Sequence, residues 1–201
     1  MADIRHPLGL PEGSVRGLLA LQICLQYWLL LLLPETQRVP VPLYLYFLLS
    51  LVMLFFVTRS RVESSTNEVN DLRPLWISGT LFRLFLLGTT VGVIGFKYYN
   101  EGEDFLKFLT PKPAQLTDWP AFGISLLVGF TIGFFLRLLP VRNSYIVQTA
   151  QAWVSILAMS LLVMDLVYQT FIAPGMQQRL GTVGWECLLT GIIAFYFSSR
   201  S

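Results

Sequence analysis

Six apolar stretches, at roughly 17–34, 41–58, 75–96, 120–139, 146–172 and 182–198, constrain this chain more than any other feature. Each is close to the ~20 residues that a helix needs to cross a bilayer. Six such runs in water would leave too much apolar surface uncovered, whereas helices in lipid satisfy every backbone group internally. Of the 201 residues 54% are hydrophobic and 13% charged, against about 25% charged in a soluble domain. The sequence therefore predicts an all-α integral membrane protein: one domain over 1–201, a bundle of about six transmembrane helices with short loops.

The boundaries of these runs have local causes. Pro34, Pro40, Pro42, Pro74, Pro120, Pro140 and Pro174 stand at or beside segment ends, where proline suits a first turn or a position after a helix. Ser14, after Pro11-Glu12-Gly13, is placed to cap the first helix. The first run resembles a signal peptide but is long, and Leu32-Leu33-Pro34 lacks a small-residue cleavage pattern, so it reads as a retained signal-anchor.

Six crossings put both termini on one side. That side holds Arg5, Arg16, Arg59, Arg61, Arg73, Arg137, Arg142 and Arg200; the other holds Arg38, Lys97, Lys107, Lys112 and Arg179. The excess predicts cytoplasmic termini. Trp76, Tyr145 and Tyr196 then form one aromatic belt, and Tyr44, Tyr98, Tyr99, Trp119, Tyr168 and Trp185 the other. The loops are too short to bury a core of their own. Residues 103–109 read either as one or two amphipathic turns lying in the interface or as a plain loop. Ser64-Ser65-Thr66-Asn67-Glu68 reads as a solvated turn.

Ionisable residues inside spans are costly and so point to function by default. Arg83 lies eight residues into the third span, about 12 Å deep at helical rise. Gln22 and Gln26 share a face of the first helix at similar depth and are its expected partners. A structural helix-to-helix role and an anion site are the two readings of Arg83. Asp165 and Glu186, in the fifth and sixth spans, lie near one depth. As a pair they would share a proton or hold a cation; the plainer expectation is that each faces water at the bundle rim or binds a separate partner. An Arg83–Asp165 ion pair is disfavoured by a depth difference of roughly 10 Å. Gln148, Gln151 and Ser155 form a polar stripe on the fifth helix, suited to interhelical hydrogen bonds or to a hydrated path.

Gly88-xxx-Gly92 and Gly129-xxx-Gly133 are small-residue motifs of neighbouring spans. They predict close packing of the third span on the fourth, or a face open to another subunit. A shift of 102 residues lays Gly79-Thr80 on Gly181-Thr182 and Leu86-Leu87 on Leu188-Leu189, a pattern that an inverted repeat would produce but that evenly spaced leucine-rich helices also produce.

The chemistry is otherwise sparse. The two cysteines, Cys24 and Cys187, both fall in apolar runs, and the one histidine, His6, cannot build a metal or Ser-His site. The sequence contains no phosphate-binding loop, no zinc-protease pattern and no haem-attachment pattern. Net charge is only +2, with no basic run, so nucleic-acid binding is unsupported. The expectation is a non-enzymatic accessory or scaffold subunit without metal or cofactor. Its partners would be membrane lipid and another membrane protein or a second copy of itself. The rival expectation is a small-solute or ion transporter or channel using Arg83 and the Asp165/Glu186 pair. A lipid-modifying enzyme is a weaker third.

Overall fold

The computed structural model describes residues 14–34, 40–63, 79–111, 113–138, 145–172 and 183–200, and they are helical almost throughout. The elements are α1 (Ser14–Leu32), α2 (Leu43–Glu63), α3 (Gly79–Glu101), α4 (Glu103–Leu109), α5 (Pro113–Leu116), α6 (Trp119–Leu138), α7 (Tyr145–Val167) with a π-helical turn at Tyr168–Ile172, and α8 (Val183–Arg200). Four helices are long and apolar enough to cross a membrane: Ser14–Leu32, Leu81–Glu101, Trp119–Leu138 and Thr149–Ile172. Leu43–Leu54 and Val183–Ser199 are shorter apolar helices.

The ends follow the backbone rules. Ser14 opens α1, and the Leu33 amide donates to the Leu29 carbonyl one residue before Pro34. Pro42 precedes the first residue of α2, and its carbonyl accepts from the Leu45 amide. Pro120 sits in the first turn of α6, where a missing N–H costs nothing. One difference from the sequence expectation matters, and one open alternative is decided. Helix α3 continues past residue 96 to Glu101, because Lys97 and Glu101 form an i,i+4 ion pair at 3.0 Å instead of ending the helix. Residues 103–109 form a real helix, turned off α3 at Gly102, whose φ of 60° is open to glycine without strain. Phe105 of α4 is buried, and the Leu109 carbonyl at its end accepts from the Tyr46 hydroxyl of α2 at 2.9 Å, so a ring and a hydrogen bond fasten it.

In the apolar window of α1 61% of residues are buried, against 17% in α3 and in α6; α1 packs on α2, α3 and α7, while α6 packs chiefly on α8, so α3 and α6 are the outermost of these three helices. The core joins Leu19, Ile23, Leu30 and Leu31 of α1 to Leu45 and Leu48 of α2, Leu162 of α7 and Ile193 of α8. On one side of α1, the Trp28 indole N–H donates to Thr90 Oγ1 at 2.9 Å and the ring meets Phe85 edge-on, which docks α3. On the other side, Gln22 Nε2 donates to the Met159 carbonyl of α7 at 2.9 Å.

The small-residue motifs are used differently from the expectation that the third and fourth spans meet through them. The Gly129/Gly133 face of α6 packs on α8, not on α3. A Cβ on Gly129 would overlap the Gly191 carbonyl, and one on Gly133 would come 2.9 Å from Ser198 Cβ. Ser125 Oγ donates to the Cys187 carbonyl, and Ser198 Oγ to the Phe130 carbonyl at 2.7 Å. Contacts advance together along both helices, so α6 and α8 run parallel. The physical reason for the choice of partner is fit: Gly191, with Ser198 and Ser199, gives α8 a matching small face, and backbone can then approach backbone. Around Gly88 and Gly92 a Cβ would meet nothing within 4 Å. That face of α3 is open.

The outer surface is strongly apolar. Leu81, Leu84, Phe85, Val91 and Phe96 of α3, and Ile124, Leu127, Ile132 and Phe135 of α6, are all exposed. A soluble monomer rarely shows so large an apolar face.

Candidate functional site

Polar side chains from four helices meet at one end of the bundle, and their convergence begins with Gln26. The glutamine lies in the last third of α1 and is fully buried. Its Nε2 donates to the Tyr44 hydroxyl at 2.7 Å and to Asp165 Oδ2 at 2.6 Å. Tyr44, the second residue of α2, donates its hydroxyl to the same Asp165 oxygen. One carboxylate oxygen thus receives hydrogen bonds from α1 and α2 while its own backbone belongs to α7. Glu186, in the first turn of α8, acts electrostatically on the Tyr44 hydroxyl from a fourth side.

All four side chains are inside. Tyr44 and Gln26 are 0% exposed, Asp165 3% and Glu186 5%. The expectation that the two acids face water at the bundle rim is therefore corrected: α2 closes over them through Tyr44. Gln169, one turn beyond Asp165, is also fully buried. It lies in the π-helical turn, a local widening often found at functional sites. The cluster has an incomplete hydrogen-bond set, for Gln26 Oε1 is buried with no hydrogen-bond partner, as few buried polar atoms are.

The remaining sequence candidates are placed elsewhere. Gln22 and Gln26 do not serve Arg83; both turn to α7, while α3 packs on the opposite side of α1. Arg83 stays half-buried on α3. In the α7 stripe, Gln151 and Ser155 are buried, but Ser155 Oγ donates to the Ala152 carbonyl of its own helix at 2.7 Å. It bonds along the helix rather than across it, as mid-helix serines commonly do. The side chain of Gln148 lies outside the described residues, as do the Ser64–Glu68 turn, both termini and the Gly181-Thr182 half of the repeat comparison. Among the described residues no group of three or more His, Cys, Asp and Glu is arranged to hold a metal.

Tyr44 is the member that sequence reasoning missed. Its place near a span edge reads as an interfacial belt residue, and Trp119, Trp185, Tyr98 and Tyr99 are indeed exposed. Tyr44 instead points inward. The available signal was the spacing of Tyr44 and Leu48, which share a helical face with the fully buried Leu45 and Leu51 nearby.

An open groove of about 620 Å³ lies between α1 and α7, lined by Leu18, Leu25, Met159 and Val163 with Gln22 and Ser160. Its walls are mostly apolar. Comparison with known proteins finds no match to a family model, a curated protein or a solved structure.

Proposed function

We propose that this chain is a six-pass membrane protein with both termini cytoplasmic, acting without catalysis as an accessory or scaffold subunit through helix–helix contacts. The observation that carries the reading is the open Gly88/Gly92 face of α3. Of two equivalent motifs, α8 fills one within the chain, and the other is left on an outer helix. Small residues let a second helix approach closely enough for backbone contact, so the fitting occupant is a helix of another membrane protein or of a second copy. The parallel course of α6 and α8, and of α1 and α7, supports alternate crossing in both halves of the chain. The arginine excess supports the orientation.

The test is the native mass of the protein extracted in mild detergent. A stoichiometric second polypeptide or a second copy is expected, and Gly92→Leu should release it without unfolding the chain. A lone monomer in the unmodified protein overturns the reading.

A second reading, transport of a small cation, is favoured by the buried Gln26–Tyr44–Asp165–Glu186 cluster, since intramembrane acids cluster along ion and proton paths. Here Asp165→Asn or Glu186→Gln should abolish flux in liposomes at normal expression; unchanged flux in both counts against it.

A further inference from the structure

We propose that Asp165 is a proton-binding site, occupied as a neutral carboxylic acid that forms a two-point pair with the amide of Gln26. Half of that pair is in place, because Gln26 Nε2 already donates to Asp165 Oδ2 at 2.6 Å. A primary amide and a carboxylic acid are complementary: the amide N–H donates to the acid's carbonyl oxygen, and the acid's O–H donates to the amide oxygen. The second half requires a donor for Gln26 Oε1, which is buried without a hydrogen-bond partner. A proton on Asp165 Oδ1 supplies that donor. The proton comes from hydronium in the aqueous phase, whose O–H bond breaks to leave water as the carboxyl O–H bond forms.

The surroundings favour the same occupant. Tyr44 from α2 and Glu186 from α8 are titratable groups that face this point, α1 brings the uncharged amide of Gln26, and Cys187 and Asp118 lie on the far side of Glu186. Two carboxyl groups about one phenol hydroxyl in a buried site repel each other when both are ionised. Protonating one relieves that repulsion and lowers the cost of burying charge. A divalent metal ion fits less well, because hard divalent cations take several oxygen ligands and among the described residues no group of three or more His, Cys, Asp and Glu is arranged to hold one. The inference names the ligand of the transport reading but rests on it only for movement of the proton. Binding alone would equally well set how α1, α2, α7 and α8 hold together.

The experiment is infrared difference spectroscopy on the full chain in liposomes, read at the C=O stretch of a protonated carboxyl group, which a carboxylate lacks. At neutral pH the unmodified protein should show a band that Asp165→Asn removes. Gln26→Met and Tyr44→Phe should shift the same band without abolishing it, since the first removes both bonds of the pair and the second removes one hydrogen bond to the group. Those two variants carry the test if Asp165→Asn does not fold. A neutral-pH spectrum with no band sensitive to any of the three overturns the proposal. So does a band that sodium chloride, but not choline chloride, erases at fixed pH, which would assign the site to a metal cation. A band present with no proton flux rejects transport and leaves the site standing. Flux that depends on Asp165 with no such band rejects the proton as ligand and leaves transport standing.

Discussion

Gly129 of α6 lies so close beneath Gly191 of α8 that a single methyl group on Gly129 would overlap the Gly191 carbonyl. The obstacle is backbone rather than a rotatable side chain, so it cannot swing aside. This one contact sets the spacing of two parallel helices and explains why their seam is built from Ser125, Gly133 and Ser198 as well.

Gly129→Ala should therefore destabilise the protein by the cost of overpacking a tight interface, about 1–3 kcal/mol. Gly88→Ala adds the same methyl where nothing lies within 4 Å, and should leave the fold unchanged. Thermal unfolding of the two variants in one detergent checks the contrast. Equal melting temperatures would mean that the α6–α8 seam relaxes freely.

The Asp165 cluster makes a graded prediction. Tyr44→Phe removes two hydrogen bonds, the one its hydroxyl donates to Asp165 and the one it accepts from Gln26, and polar contacts between membrane helices average about 0.6 kcal/mol each when measured. Asp165→Ala strands two buried donors, on Gln26 and Tyr44, at about 1–3 kcal/mol each. Asp165→Asn keeps an acceptor for both and gains an N–H for Gln26 Oε1, so it should be the mildest change at this position. The expected order of stability, by denaturant unfolding in mixed micelles, is Asn above Ala, with Tyr44→Phe well above Asp165→Ala.

Outside the apolar spans, Lys107 donates to Asp104 Oδ1 at 2.8 Å on α4 and holds that carboxyl below its ordinary value, through the hydrogen bond first and the charge second. A carboxyl whose folded value is depressed contributes stability above its unfolded pKa of about 3.9 and loses it as pH falls through the lowered value. Between pH 8 and 5 that contribution is constant, so the pair should give unfolding no pH dependence there. Carboxyl carbon shifts followed by NMR in acid should show Asp104 titrating below a free aspartate, and Lys107→Ala should return it to the usual range. Because both groups are well exposed, salt should weaken the shift.

How far the sequence reaches is clearest at particular residues. The apolar runs and their prolines foretell the helices to within a few residues, because length, apolarity and missing amides act locally. The apolar run ends at 96, before Lys97, whereas the helix goes on to Glu101, where Lys97 finds its i+4 partner. Depth was also legible. Asp165 and Glu186 do come to one end of the bundle, as counting from the span edges implies, and helical rise is all that count needs. Their burial was not legible, because it depends on Tyr44, which a different helix brings over them.

The sequence by itself determined that the chain must be helical, which stretches are apolar, how deep each polar side chain sits along its helix, and which residues share a face. Those are properties of one helix at a time, governed by backbone hydrogen bonding and by the 3.6-residue repeat. Only the tertiary structure decided which faces meet: Gly129 on Gly191 rather than on Gly88, and Gln26 on Asp165 rather than on Arg83. Rotation about each helix axis and choice of neighbour follow from fitting all the helices together. There small residues win where backbones can touch, and buried polar atoms turn toward whichever partner satisfies them.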